Sequence, residues 1–167
     1  MKKFLYFFLF TSILLSCKSD QKKENQPSSD QAAIVDQMFD DLESIPNDVM
    51  QELVNKGTYI DYIFYNLPFS ISQDDKPSIH ANLNLISTKK MGGIPTHCKP
   101  IGREFFHIGG NIALEADVYF NGDCMGYVFL QDKKPAYANQ ISPEGIKFYT
   151  NLINQAKQIH QQAGNGG

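Results

Sequence analysis

The sequence predicts an α+β domain: two N-terminal helices, an antiparallel meander sheet of about four or five strands, and a C-terminal helix packed on that sheet. Three observations carry this expectation. Apolar residues recur at helical spacing through Ile34, Val35, Met38, Phe39 and Leu42, and again through Val49, Met50, Leu53 and Val54. They alternate at every second position through Ile112, Leu114, Ala116, Val118 and Phe120. Helical spacing then returns in Ile146, Tyr149, Leu152, Ile153, Ala156 and Ile159. A composition of 42% hydrophobic and 20% charged residues suits one globular core. Roughly 130 residues remain once the two ends are set aside, enough to fold without metal or disulfide support.

Taken in order, Asp30 is placed to cap the first helix, and Ser44-Ile45-Pro46-Asn47 ends its pattern. The second helix stops at Gly57. Tyr59 to Ile71 is the most aromatic run, and periodicity does not decide between a continued helix and a strand ending at Pro68. Its aromatics suit a core, with a carbohydrate-binding surface as the alternative. Ser72 to Pro77 reads as a loop. Ile79, Ala81, Leu83 and Leu85 alternate with His80, Asn82 and Asn84, which predicts a half-buried strand. Thr88 to Gly102 is a long irregular connection, and such loops tend to be functional or covalently held.

The meander follows. Glu104 to Ile108 is a strand, Gly109-Gly110 a turn, and Asn121-Gly122 a two-residue hairpin turn whose residues tolerate positive φ. Met125 to Gln131 returns, Asp132-Lys133-Lys134 turns again, and Pro135 to Asn139 adds a short edge strand. Ser142-Pro143-Glu144 opens the last helix, with a capping serine and proline at the first position. Gln161 to Gly167 is a frayed tail.

The first seventeen residues are of a different kind. Lys2 and Lys3 precede an apolar run from Phe4 to Leu15, closed by Leu14-Leu15-Ser16-Cys17. Charge, apolar length and a small residue before the junction make a secretory signal. The run is short of the roughly 20 residues a membrane span needs. With cysteine directly after the small residue, the stretch resembles the lipobox of bacterial lipoproteins. That resemblance implies a diacylglyceryl group on the thiol of Cys17, cleavage before it, and acylation of the new amine. Each buried methylene contributes about 0.8 kcal/mol, so several chains anchor a small protein durably. The expected organisation is therefore a signal over 1–16, the lipidated cysteine and a disordered tether over 17–30, one domain over 31–160 and a tail over 161–167. Lys18 to Asp30 is almost wholly polar and would reach roughly 20 Å. Its polar start loosely resembles lipoproteins of the Bacteroidetes, and Lys18 is not the aspartate that marks inner-membrane retention in some bacteria. The expected location is the cell envelope, lipid-anchored at the outer membrane.

The net charge of −3 includes Lys2 and Lys3. Without them 13 basic residues face 18 acidic ones, a net of −5. That sign argues against nucleic acid, which is held by basic side chains on phosphates. With Cys17 acylated, Cys98 and Cys124 remain as a pair in a compartment that permits disulfides. Two reduced thiols or a metal site are the alternatives. His80, His97, Cys98, His107 and Cys124 lack a metal-ligand spacing, and the adjacency of His97 and Cys98 is awkward for one tetrahedral centre. No metal or cofactor is expected. A cysteine nucleophile with His107 as base would need a free thiol in an oxidising compartment.

Glu115 and Asp117 share one strand face about 7 Å apart. Paired carboxylates at such separations serve glycosidases, and they equally decorate solvated sheets. Arg103 and Asn111 lie at strand ends where loops gather. Arg103, His107, Glu115 and Asp117 are therefore the candidates for a ligand site. There is no Gly-rich phosphate motif and no Gly-x-Ser-x-Gly. The expectation is a non-enzymatic binding or inhibitory module acting on an envelope protein or small ligand. A small glycan hydrolase-like enzyme and a purely structural envelope component are the alternatives.

Overall fold

The computed structural model describes residues 36–164. In chain order they form β1 (Gln37–Met38), α1 (Asn47–Lys56), β2 (Gly57–Phe64), β3 (Ser70–Gln73), α2 (Lys76–Leu83), β4 (Ile86–Lys90), β5 (Ile94–Pro95), β6 (Gly102–Ile108), β7 (Asn111–Asn121), β8 (Cys124–Gln131), β9 (Lys134–Ile141) and α3 (Pro143–Gly164). Seven strands make one antiparallel sheet in the order β3-β2-β6-β7-β8-β9-β4, and β1 pairs with β5 apart from it. Tight turns follow local chemistry. Gly109 and Gly110 both take positive φ between β6 and β7, where any side chain would be strained.

Alternation along the strands, interrupted by irregularities at Gly57–Tyr59, Phe106–His107 and Phe129–Leu130, gives the sheet two unlike faces. Ile60, Tyr62, Phe64, Glu104, Phe106, Ala116, Val118, Tyr127 and Phe129 face the helices. Leu53 of α1, Ile79 and Leu83 of α2, and Tyr149 and Leu152 of α3 close over them in the main core. The other face is covered on one half only. There Met91, Ile94, Cys98, Tyr119, Cys124, Val128 and Ala138 form a second cluster, joined by Met38, Phe39 and Leu42. Gly126 makes this cover possible, because a Cβ on it would collide with the Met91 sulfur. On the other half, along β2 and β6, Ile63 of β2 and Tyr65 just beyond its end are 50% and 51% exposed among the described residues.

The expected arrangement is overturned in four places, within a chain that does combine helices with an antiparallel sheet. The sheet has seven strands rather than four or five, because the aromatic run supplies β2 and β3 and the Ser87 region supplies β4. The first helix is absent from the described residues. Met38, Phe39 and Leu42 instead sit in a strand and turn, Phe39 at φ 66°, and their spacing serves the second cluster. The expected strand through Ile79 is α2. Asp75 accepts the Ser78 N–H at 2.9 Å and Pro77 sits in the first turn, so a capped start overrides an alternation that also places Ile79 and Leu83 four apart. The β7–β8 turn is Gly122-Asp123, flanked by the pair Asn121 and Cys124, one residue later than expected. The second and C-terminal helices lie as their periodicity and caps imply: Gly57 follows α1, and the Ser142 hydroxyl accepts the Gly145 N–H at 3.1 Å at the start of α3. Cys17, the signal and the tether lie outside the described residues.

Candidate functional site

The uncovered half-face brings three of the four candidate ligand residues together. Register pairs Ile63 with Arg103 and Arg103 with Asp117 across β2, β6 and β7, and pairs Asp61 with Phe105 and Phe105 with Glu115 in the next row. Arg103 Nε donates to Asp117 Oδ1 at 2.7 Å and Nη2 to Asp117 Oδ2 at 3.1 Å, while Nη1 donates to Glu115 Oε2 at 3.0 Å. The fork geometry of a guanidinium suits this bidentate grip, which lysine would not reproduce. Hydrogen bonding to Asp117 holds Arg103 charged more firmly than usual, against the opposing effect of partial burial. Tyr65 stands beside the cluster, its hydroxyl pushed above the ordinary phenol range by burial and then by the Asp117 charge. Asp61 accepts a hydrogen bond from the Ser72 hydroxyl at 2.6 Å and adds a third carboxylate to the face.

His107 does not join them. It lies four residues along β6, about 13 Å away, with its ring edge-on to Tyr59 at 5.4 Å and its Nε2 buried without a partner. Asn111 sits exposed where β7 begins, opposite Ile108. Cys98 and Cys124 are joined by a disulfide, Cα atoms 5.6 Å apart, which pins the β5–β6 connection to the β7–β8 hairpin.

The strongest electrostatic anomaly is on the helix face, and the sequence reading passed over it. Glu104 is fully buried at the centre of the sheet beneath α3. Burial pushes its carboxyl up to about 8, against a hydrogen bond from Tyr149 that pulls the other way. Tyr149 donates to Glu104 Oε1, and the Tyr127 and Tyr149 hydroxyls meet at 2.8 Å. Glu104 Oε2 and the Tyr62 hydroxyl are buried without partners. All three phenols are raised, chiefly by burial and then by the Glu104 charge. Its signal was in the alternation: Glu104 occupies an inward position between Gly102 and Phe106. A raised carboxyl is a mark of acid catalysts, yet Glu104 lines neither of the two larger grooves described next.

Those grooves flank α1. One, about 560 Å³, is lined by Ile45, Met50, Leu83 and Ile86 with the uncharged Ser87 and Asn139. Asn139 is buried and already engaged, accepting from the Ile45 N–H at 2.8 Å and donating to the Ser87 carbonyl at 2.9 Å. It is a stitch across the irregular β4–β9 pairing rather than a free group. The other, about 500 Å³, runs past Val49, Glu52, Ile112, Lys133 and Tyr137 to the rim at Glu115. Among the described residues no helix is long and apolar enough to cross a membrane. Against known proteins, the chain matches no family model, no curated protein and no solved structure.

Proposed function

We propose that this chain is a lipid-anchored protein of the bacterial cell envelope whose domain binds a protein partner on the uncovered half of its sheet. The anchor rests on the order of charge, apolar run, Ser16 and Cys17 at the start of the chain. The binding role rests on one observation above all: Ile63 and Tyr65 stand half exposed beside the Arg103–Glu115–Asp117 cluster. Tyrosine and arginine at the centre of a patch, with an apolar neighbour, are the residue types that concentrate binding energy in protein interfaces. Asp61, Glu115 and Asp117 outnumber Arg103 on this face, so the partner it suits presents a lysine or arginine next to an apolar side chain.

The glycan hydrolase alternative is less well supported. An acid–base pair needs one carboxyl free to hold and release a proton. Here a single guanidinium spans both carboxylates, engaging both oxygens of Asp117 and one of Glu115, and its charge favours the ionised form of each over a proton-holding one.

A photoactivatable residue at position 63 of the full chain, expressed in a bacterial envelope, tests the surface. One discrete protein adduct is expected there and none from position 157 on the outward side of α3. Asp61→Lys, with the fold checked by circular dichroism, should abolish the adduct. Equal labelling from both positions, or an adduct indifferent to Asp61→Lys, overturns the proposal. The anchor is read separately from the same cells, as an intact mass of residues 17–167 plus acyl chains.

A further inference from the structure

The geometry points to a zinc site that the Cys98–Cys124 pair forms with His97 and Asp123 when its thiols are reduced. The two cysteines each carry a potential ligand as the preceding residue, giving the dipeptides His97-Cys98 and Asp123-Cys124. The disulfide sets these dipeptides side by side. One donor atom from each of the four residues then lies within 4.8 Å of the others. His97 Nε2 is 3.9 Å from Asp123 Oδ1, and Asp123 Oδ1 is 3.7 Å from Cys124 Sγ. In a tetrahedral zinc shell with bonds of about 2.0–2.3 Å, neighbouring donors sit roughly 3.3–3.8 Å apart. Adjacency of His97 and Cys98 in the chain is therefore no obstacle: the backbone already turns both donors to one point.

The donor set selects the metal. Two thiolates, one imidazole and one carboxylate in a tetrahedron suit zinc, whereas hard cations want more oxygens. The cysteines are buried while His97 and Asp123 are 69% and 68% exposed by side chain, so the site has a sulfur floor and an open mouth for metal entry. While the disulfide stands, neither sulfur has a thiolate to give. A dithiol reductant opens it by exchange: two protein thiols form, and the reductant leaves as its own disulfide. Zinc then binds, releasing two protons as the thiols become thiolates. The β5–β6 connection would remain pinned to the β7–β8 hairpin in both states, by a disulfide in one and by a metal in the other.

The test uses the full chain in detergent, reduced with a phosphine, with cobalt(II) as the spectroscopic probe and zinc(II) as competitor. The expected result is one cobalt per chain, with the intense visible bands of tetrahedral cobalt and thiolate-to-cobalt charge transfer, displaced by zinc. The unreduced chain should bind none. His97→Ala and Asp123→Asn, both surface changes that leave the disulfide and the core untouched, should each weaken binding in the reduced chain at least tenfold. Bound zinc should also slow alkylation of the two thiols. Equal affinity in wild type, His97→Ala and Asp123→Asn would mean that loose thiols alone capture the metal, and it overturns the site. So does a weak octahedral cobalt spectrum.

Discussion

Arg103 and Glu104 are neighbours on β6 that point to opposite faces of one sheet, and the two faces treat charge in opposite ways. On the open face, Arg103 keeps its charge and meets two carboxylates, with its side chain 28% exposed and those of Glu115 and Asp117 at 23% and 14%. On the helix face Glu104 meets no cation. Its surroundings are Phe106, Ala116 and the phenols of Tyr62, Tyr127 and Tyr149. A carboxylate there would have to be desolvated without an opposite charge, so the proton stays on. On the open face ionised groups are held as a salt-bridged cluster, whereas in the core a lone carboxyl is neutralised and packs among phenols.

The largest effect that tests this contrast is pH dependence through Glu104. Its folded carboxyl titrates near 8, above the ordinary 4.5. Between those values the folded chain holds a proton that the unfolded chain has released. Stability therefore falls as pH rises through that window, by about 1.4 kcal/mol per pH unit from this one group, and levels off above it. The three phenols, all raised, stay protonated throughout. Denaturant midpoints measured from acid to mildly alkaline pH should show the decline. Glu104→Gln keeps the shape without the titration and should remove most of it, leaving the variant more stable than wild type at pH 8. A wild-type profile that is flat, or one that Glu104→Gln does not change, would break the comparison.

The second cluster contrasts with the main core in its means of support. Among the described residues, eighteen buried ones assemble the main core from three helices and the sheet. The second cluster has seven, resting on a loop and a two-stranded ribbon, with a disulfide across 26 residues. Closing a loop of that length contributes roughly 3 kcal/mol. Replacing both cysteines, Cys98→Ser with Cys124→Ser, should cost about that much in denaturant unfolding. Amide exchange should accelerate first around Met91 to Cys98 and more slowly under α3. Uniform acceleration across both clusters would show that they open as one unit.

What was legible in the sequence follows the same division. The meander from Arg103 onward was readable because its strands are consecutive, joined by tight turns, and alternate over most of their length. The helix stripes of α1 and α3 were readable from their apolar spacing, and at α3 the Ser142 cap marked the start as well. The N-terminal part was not, for physical reasons. Met38, Phe39 and Leu42 repeat at helical spacing, yet their burial comes from Ile94 and Tyr119, distant in the chain. The edge strands β3 and β4 are short, and β4 pairs irregularly with β9, so local pattern carries little of them. At the candidate site, Glu115 and Asp117 were placed on one face correctly, but the partner that defines their chemistry, Arg103, comes from the next strand. Glu104 was visible as an inward charged residue in an apolar row, a discord that alternation alone could have raised.

The smallest effect belongs to the open face itself. Arg103→Met would keep the bulk of the stem and remove the guanidinium, leaving Asp117 and Glu115 side by side without a cation. The cluster is partly solvated, so the cost in stability should be about 1 kcal/mol rather than the several expected of a buried pair. It should grow at low salt, where the repulsion between the two carboxylates is least screened. Arg103→Lys should recover only part of the loss, since a point charge cannot span both carboxylates. The informative readout is the ratio of two effects, on unfolding midpoint and on crosslinking from position 63. A variant that folds nearly as well as wild type but loses its adduct marks the cluster as part of a binding surface. If stability and adduct fall together, Arg103 serves the sheet, and the open face owes its recognition to Ile63 and Tyr65 alone.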